Sequence, residues 1–208
     1  MHEDIFSDDN PDASKLSVEF LHRLFSEMGA LCAKRGLHLE IALYGGSALI
    51  LDFSYRKATH DIDYCVVKGD PNLVRELAFD ACENLGMRNK ARALFRDDVT
   101  DFVSEHADHI LHGDYGTGTK GGLRIFKASP QYILAMKVLS MRSAMETHDV
   151  RDTWELCKAC EIQSAEEALE TVRKFYPSTR IPRRNQLILE DILESQKKGQ
   201  PYSDVLGW

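Results

Sequence analysis

Apolar and polar positions alternate with two different periods in the first quarter of the chain. Over residues 14–35, apolar side chains recur every three or four positions, which predicts a helix that Gly36 ends. Over 37–44, apolar and polar residues alternate strictly, and this pattern is typical of a strand. A Gly-Gly pair breaks that strand, and the segment 47–53 predicts a short apolar helix.

The middle of the chain predicts two more strands. Residues 61–67 form the second predicted strand, and a helix is expected from Pro71 to about Leu85. A third strand is predicted at 123–128. Between these elements we expect a short helix over 97–106 and a glycine-rich loop over 113–122.

From residue 129 onward the periodicity is helical throughout. The predicted helices span 130–146, 150–160, 164–176 and 184–197. The element order predicts an α+β protein with a small mixed β-sheet core and a C-terminal helical region. We place the core, with its N-terminal helix, in residues 1–128, and the helical region packed on it in 129–208.

Composition narrows the class of protein. With 208 residues, 43% hydrophobic and 28% charged, the chain lies in the globular range. Its 26 basic and 33 acidic residues give a net charge of −7, which argues against a general attraction for nucleic acid, although a local basic patch could still bind it. No apolar stretch approaches the roughly 18 residues of a membrane span, and the acidic start differs from a signal peptide. We therefore expect a cytoplasmic protein with no membrane partner.

A Gly-Gly-Ser sequence follows the first predicted strand. Gly45 and Gly46 lie where the strand passes into the short helix, so their backbone N–H groups can approach a phosphate at the positive end of that helix. Ser47 can cap the helix and add a hydroxyl. These three residues form a candidate phosphate-binding turn, and the alternative is an ordinary surface turn.

Two acidic residues lie on the second predicted strand. Because side chains alternate along a strand, Asp61 and Asp63 face the same side, with their Cα atoms roughly 7 Å apart. Two carboxylates on one face repel each other unless a cation lies between them. Oxygen ligands of this kind suit Mg²⁺ or Mn²⁺ rather than zinc. The alternative is a polar edge strand.

Together, Gly45-Gly46-Ser47 and Asp61-Ile62-Asp63 resemble the signature of the polymerase-beta-type nucleotidyltransferase superfamily. The resemblance is greatest to small bacterial members, including the toxins of some toxin–antitoxin and phage-defence pairs. In those proteins a helix that carries a lysine, and then an Asp-x-x-Asp, follow the last strand of the sheet. Residues 129–137 and 149–152 match that arrangement, and the resemblance extends over residues 37–156.

The resemblance implies a metal-dependent enzyme that moves a nucleotidyl group from an NTP to a hydroxyl of RNA, a protein or a small molecule. The expected cofactor is Mg²⁺ or Mn²⁺, and a toxin would also have an antitoxin partner. Gly45, Gly46 and Ser47 would hold the phosphates, Asp61 and Asp63 the metal, Lys137 would neutralise the triphosphate, and Asp149 or Asp152 would act as ligand or base. The NTP would bind between the two halves of the chain.

Lys137 is unusual even when the family resemblance is left aside, because it is the one charge between Gln131 and Arg142. A lysine in such an apolar run must find a partner or extend to the surface, since an unpaired buried ammonium is costly. The alternative to a nucleotide partner is therefore a lysine at the rim of a core helix. For the acidic pair, the alternative is that Asp149 caps its helix and that Asp152 pairs with a neighbouring arginine, Arg142 or Arg151.

One departure from the superfamily pattern concerns the third metal-binding acid, which is expected on a strand next to the Asp-x-Asp. The segment 123–127 offers only basic residues there, and Asp97, Asp98 or Asp101 are substitutes that nothing in the spacing requires. The competing interpretation is therefore a catalytically silent nucleotide- or protein-binding module on the same fold. A kinase-like phosphotransferase is a third.

A basic cluster lies near the C-terminal end of the chain. Phe175 and Tyr176 stand among five basic residues, a mixture that could hold an RNA backbone and stack a base. The alternative is a solvated helix end that balances acidic neighbours. The basic residues are Arg173, Lys174, Arg180, Arg183 and Arg184.

Overall fold

The computed structural model describes residues 15–87, 91–118, 121–142 and 148–201. The chain divides into two compact units. The first comprises Met1–Phe102 and His109–Lys127, and the second comprises Val103–Asp108 and Ala128–Trp208. A mixed sheet together with many helices confirms the predicted α+β class. No helix in the described ranges is both long and apolar enough to cross a membrane.

The first unit holds the strands. Its elements are β1 (Leu16–Ser17), α1 (Val18–Arg35), β2 (His38–Leu43), α2 (Gly45–Asp52), β3 (Ala58–Thr59), β4 (Ile62–Lys68), α3 (Pro71–Asn84), α4 (Ala91–Leu94), β5 (Phe95–Arg96), a 3-10 helix (Asp98–Phe102), β6 (His109–Gly118) and β7 (Gly121–Ala128).

Five of these strands form one mixed sheet in the order β5-β4-β2-β7-β6. The central strand β2 runs antiparallel to β4 and parallel to β7, and β5 runs parallel to β4. Strands β1 and β3 form a separate antiparallel pair. Since Leu43 lies opposite Tyr64, the chain leaves β2 beside the start of β4, where the Asp-x-Asp lies.

Helix α1 has clear start and stop signals. The Ser17 hydroxyl accepts a hydrogen bond from the Phe20 N–H, and Gly36 ends the helix in the left-handed conformation at φ 69°. One face of α1 buries apolar side chains, while the sheet contributes those of β2 and β4. Core residues from these elements include Leu21, Leu24, Phe25, Met28, Ile41, Leu43, Ile62 and Tyr64.

The second unit is helical. It contains α5 (Pro130–Ser140), α6 (Asp149–Ala159), α7 (Ala165–Phe175) and α8 (Arg183–Lys197). Ser129 and Ser164 cap α5 and α7, each accepting a hydrogen bond from a backbone N–H three residues on. An apolar cluster is formed by Met141, Val150, Trp154 and Ile192.

Three predicted elements are wrong in extent. The segment 113–122 is not a loop over its first part, because β6 continues to Gly118 beside β7, and residues 119–120 lie outside the described residues. The predicted helix 97–106 is a 3-10 helix confined to Asp98–Phe102. Helix α5 ends at Ser140 rather than at 146, because the backbone N–H of Arg142 donates to Asp149 instead of continuing the helix. Residues 143–147 are not described.

Candidate functional site

The Gly-Gly turn and the Asp-x-Asp strand lie against each other. The backbone N–H of Tyr44 donates to the Asp63 carbonyl at 2.9 Å, which fixes the turn beside β4. Gly45, the first residue of α2, has φ 54°, a conformation that favours glycine. A Cβ atom at this position would overlap Oδ2 of Asp63. The Asp63 carboxylate therefore lies directly at the start of α2.

The start of α2 has the properties of an anion-binding site. Its N-cap residue makes no side-chain hydrogen bond to the helix, and the first turn contains no acidic residue. The first N–H groups of a helix have no partner within it, and they lie at the positive end of the helix dipole. A Cβ on Gly46 would come within 2.7 Å of Nη2 of Arg56, so a guanidinium also lies against this turn.

Ser47 does not cap α2 as the sequence predicted. The helix begins two residues earlier, at Gly45, and Tyr44 is its N-cap residue. Ser47 is fully buried, and its hydroxyl donates to the Tyr44 carbonyl at 2.9 Å. The Ser47 hydroxyl is therefore hydrogen-bonded within the Gly-Gly turn, and the Ser47 backbone belongs to the first turn of α2.

Both carboxylates of the Asp-x-Asp are partly buried, whereas Ile62 between them is fully buried, as strand alternation requires. Asp61 forms an ion pair with Arg96 at 3.1 Å, and Arg96 also contacts Asp98 at 3.4 Å. The hydrogen bond to Asp61 and the charges of Asp98 and Asp61 raise the pKa of Arg96. Arg96 therefore balances part of the acidic charge of the pair.

The carboxylates of Asp61 and Asp63 suit a Mg²⁺ ion whose other ligands are substrate phosphates and water. In the described part of the chain, no group of three or more His, Cys, Asp or Glu side chains could together hold a metal ion. Mg²⁺, however, is commonly bound through one or two carboxylates, with substrate phosphates and water completing its shell. Asp61 and Asp63, beside a candidate phosphate-binding turn, have the donor type that this mode of binding requires.

Strand β4 lies between β5 and β2, whereas the segment 123–127 belongs to β7 and does not pair with β4. Two acids follow β5 directly, but each is held by an arginine. Asp97 pairs with Arg75 at 2.8 Å, and Asp98 contacts Arg96. The two acids that directly follow β5 are thus both bound by arginines.

Two arginines and one hydrogen-bonded pair near the site were missed at the sequence level. Arg56 and Arg96 flank the candidate site, and the Tyr44 hydroxyl shares a 2.6 Å hydrogen bond with Nε2 of His109. For Arg56, the one available signal was its position in the sequence between Gly45-Gly46-Ser47 and Asp61-Ile62-Asp63. The partnerships of Arg96 and His109 depend on strand order, which the sequence pattern does not specify.

Lys137, Asp149 and Asp152 form a buried ion-pair cluster in the second unit. The Lys137 ammonium lies 2.7 Å from Oδ1 of Asp149 and 2.9 Å from Oδ2 of Asp152. The side chain of Lys137 is 14% exposed, and those of Asp149 and Asp152 are 3% and 1% exposed. The cluster joins α5 to α6, and it satisfies all three charges within the protein.

The electrostatics of Asp149 follow from this pairing. Burial raises its pKa, but the Lys137 charge and hydrogen bonds from Lys137 and Arg142 outweigh burial and lower the pKa to about 2. Asp149 is the first helical residue of α6 and His148 is the N-cap residue, so the capping alternative is wrong. Asp152 pairs with Lys137, whereas Arg142 contacts Asp149 at 3.2 Å.

Comparisons of the chain with protein-family models, with curated proteins and with solved structures found no match.

Proposed function

We propose that this protein is a metal-dependent nucleotidyltransferase, which transfers a nucleotidyl group from an NTP to a hydroxyl acceptor. One observation carries the proposal. The Asp63 carboxylate lies against Gly45 at the start of α2, whose N-cap residue makes no side-chain hydrogen bond to the helix, so a candidate metal-binding acid and a candidate phosphate-binding turn are neighbours. These are the two parts that phosphoryl and nucleotidyl transfer require.

The first turn of α2 would bind the phosphate oxygens through its backbone N–H groups, and Arg56 would add a fixed positive charge. The acceptor oxygen would form a bond to the α-phosphorus while the bond from that phosphorus to the bridging oxygen breaks. Pyrophosphate leaves with the electron pair, and the acceptor proton passes to a carboxylate of Asp61 or Asp63. A Mg²⁺ held by these two residues would neutralise the developing charge.

The ion pair between Arg96 and Asp61 affects how a metal ion can bind at this site. It already pairs with Asp61, so a free metal ion must compete with a guanidinium for one of the two carboxylates. A metal–nucleotide complex brings its own phosphate ligands and needs fewer from the protein. We therefore infer that metal enters the site together with the nucleotide.

The cluster of Lys137, Asp149 and Asp152 contributes no argument to this proposal. Lys137 pairs with both carboxylates and Arg142 adds a second cation at Asp149, which explains the burial of the two acids without a nucleotide. Their roles in neutralising the triphosphate and in assisting the reaction stay predictions from the resemblance, as do an RNA, protein or small-molecule acceptor, a toxin or defence role and an antitoxin partner.

A second candidate is a catalytically silent module that binds a metal–nucleotide complex. The arginine-bound Asp97 and Asp98 beside β4 favour it, because neither offers an unengaged third carboxylate. This candidate differs from the enzyme in one measurable respect, since it would bind the nucleotide and transfer nothing.

The test is label transfer from NTPs labelled at the α-phosphate, with Mg²⁺ or Mn²⁺, into a lysate containing RNA and protein. We expect label in a macromolecular band with the wild type and its loss in Asp61→Asn and Asp63→Asn. The matched control is Asp114→Asn, which removes another strand aspartate paired with an arginine, Arg124 at 2.7 Å. This variant should retain transfer.

Metal-dependent NTP binding without any transfer would favour the silent module. Transfer that persists in both Asp61→Asn and Asp63→Asn, or that is lost equally in Asp114→Asn, would contradict the proposed site.

A further inference from the structure

The basic cluster near the C-terminal end has no part in the proposed transferase site. Its two aromatic residues pack on Tyr132, and the Lys174 ammonium lies over the Phe175 ring, 4.9 Å from the centroid. Phe175 is buried and packs edge-on against Tyr132 with ring centroids 5.0 Å apart, and Tyr176 stacks on the same ring at 5.8 Å. The Phe175 ring is thus engaged in the core of the second unit, and one face of the partly buried Tyr176 ring is occupied by Tyr132.

The arginines instead line a cavity of about 440 Å³ where α7 ends and α8 begins. Arg173, Arg180 and Arg183 contribute three guanidinium groups to its lining. This volume is in the range of small-molecule sites, which is roughly 300–1,000 Å³. The cavity is therefore large enough for one small organic molecule.

The rest of the lining is mixed, with Thr179 and Gln186 as its polar residues and three apolar residues. Leu169, Pro177 and Ile181 form the apolar part of the wall. A cavity with charged groups on one part and apolar groups on another suits an amphipathic ligand, whose polar group fixes orientation while its body excludes water.

The charges in the cavity are only partly balanced. Arg173 pairs with Glu166 at 2.7 Å, and Arg183 contacts Glu190 at 3.4 Å. Because all four side chains are exposed, these ion pairs are weak, and a bound anion can compete with them. Among the residues that the structure describes, no carboxylate lies within ion-pairing distance of Arg180. The cavity therefore carries a net positive charge.

The start of α8 adds a further anion-binding element. Pro182 is the N-cap residue and provides no side-chain hydrogen bond, and the first turn contains no acidic residue. The first N–H groups of α8 thus lack a capping side chain next to Arg183, a cavity residue.

We propose that this cavity binds a small organic phosphate, with the phosphate at the arginines and an apolar body against Leu169, Pro177 and Ile181. A carboxylate has two oxygens, which one guanidinium fork can satisfy. A phosphate monoester offers three oxygens to several donors, and this matches three arginines and a helix start. The site lies within the second unit and does not depend on the proposed transferase function.

The test uses phenyl phosphate as the probe, measured by isothermal titration calorimetry with EDTA present so that no metal–nucleotide site contributes. Inorganic phosphate and a short single-stranded oligouridylate are titrated in parallel. We expect saturable 1:1 binding of phenyl phosphate that is about tenfold or more tighter than inorganic phosphate, since the phenyl ring gains apolar contacts.

The test variant is Arg180→Gln, and the matched control is Arg184→Gln, an exposed neighbour with the same charge change that does not line the cavity. Arg180→Gln should weaken phenyl phosphate binding by about tenfold or more, and Arg184→Gln by less than about twofold. Both side chains are exposed, so neither change threatens folding.

Three outcomes would overturn the proposal. The first is the absence of saturable phenyl phosphate binding. The second is equal weakening by the two variants, which would indicate general charge attraction. The third is binding of the oligouridylate without phenyl phosphate, which would indicate an RNA surface.

Discussion

Both the backbone conformation and the packing at position 45 favour glycine. A positive φ of 54° disfavours any residue with a Cβ, and the space that a Cβ would occupy is taken by the Asp63 carboxylate. The Asp63 carboxylate can therefore occupy this position because Gly45 has no side chain. The geometry of the candidate site depends on this contact.

We predict that Gly45→Ala disrupts the site itself. The new methyl group must displace the Asp63 carboxylate, so metal-dependent nucleotide binding should fall by about tenfold or more. The matched control is Gly86→Ala, because Gly86 also has a positive φ of 76° but a Cβ there would meet nothing within 4 Å. Both variants carry a backbone strain of about 1–2 kcal/mol.

Fluorescence titration with a labelled NTP and Mn²⁺ measures the effect. Equal binding by the two variants would show that the contact between Gly45 and Asp63 is irrelevant to the site.

Asp149 supplies a pH-dependent part of the stability. Its pKa in the folded protein is about 2, below its ordinary value of 3.8. A carboxyl group with a lowered pKa stabilises the fold above the unfolded pKa, and this contribution disappears as the pH falls through the folded value. The contribution is on the order of 2 kcal/mol.

We predict that the stability difference between the wild type and Asp149→Asn shrinks as the pH falls from about 4 to about 2. Urea unfolding at several pH values measures it. A difference that stays constant across this window would contradict the ion-pair account of Asp149.

Sequence reasoning predicted that the turn and the acidic strand belong together, and it missed partners brought together by strand order. Gly45, Gly46, Asp61 and Asp63 were identified from the motif, and the structure places Asp63 against Gly45. The pairing of Asp61 with Arg96 depends on β5 lying next to β4, and a strand of two residues has no detectable period.

At the scale of elements, α1 and β6 approach each other through glycines. A Cβ on Gly29 would lie 2.5 Å from the Tyr115 carbonyl carbon, and one on Gly116 would overlap the Gly29 carbonyl group. Helix backbone and strand backbone are therefore in direct contact. Gly116 allows this packing, and the glycine-rich sequence of β6 also caused the strand to be predicted as a loop.

We predict that Gly29→Ala lowers the free energy of unfolding by about 1–3 kcal/mol through overpacking. This result is opposite to helix propensity, which favours alanine over glycine by about 1 kcal/mol. The control is Ser26→Ala on the exposed face of α1, with an expected change within about 0.5 kcal/mol. A stabilised Gly29→Ala variant would refute the close packing of α1 on β6.

Long helices were the most predictable elements. The start of α1 was expected within a few residues and its end at Gly36, because apolar spacing and a terminal glycine agree. The end of α5 was not predictable, since it depends on a hydrogen bond from Arg142 to Asp149 on the next helix. Tertiary contacts of this kind leave no periodic signal.

At the scale of the whole molecule, the charge distribution is uneven. The chain carries a net charge of −7, yet guanidinium groups lie at both proposed anion sites. In the first unit Arg56 lies at the start of α2, and in the second Arg180 and Arg183 lie at the start of α8. An acidic protein with such local basic sites should select small anionic ligands over extended nucleic acid.

The central claim is that Asp61 and Asp63, beside the Gly45–Gly46 turn, bind a metal–nucleotide complex. The most direct measurement is electron paramagnetic resonance of Mn²⁺ titrated into the protein, with and without ATP. We predict weak Mn²⁺ binding alone and clearly tighter binding with ATP, both lost in the Asp61→Asn/Asp63→Asn double variant and kept in Asp114→Asn. Mn²⁺–ATP binding that is absent in the wild type, or unchanged in the double variant, would contradict the account.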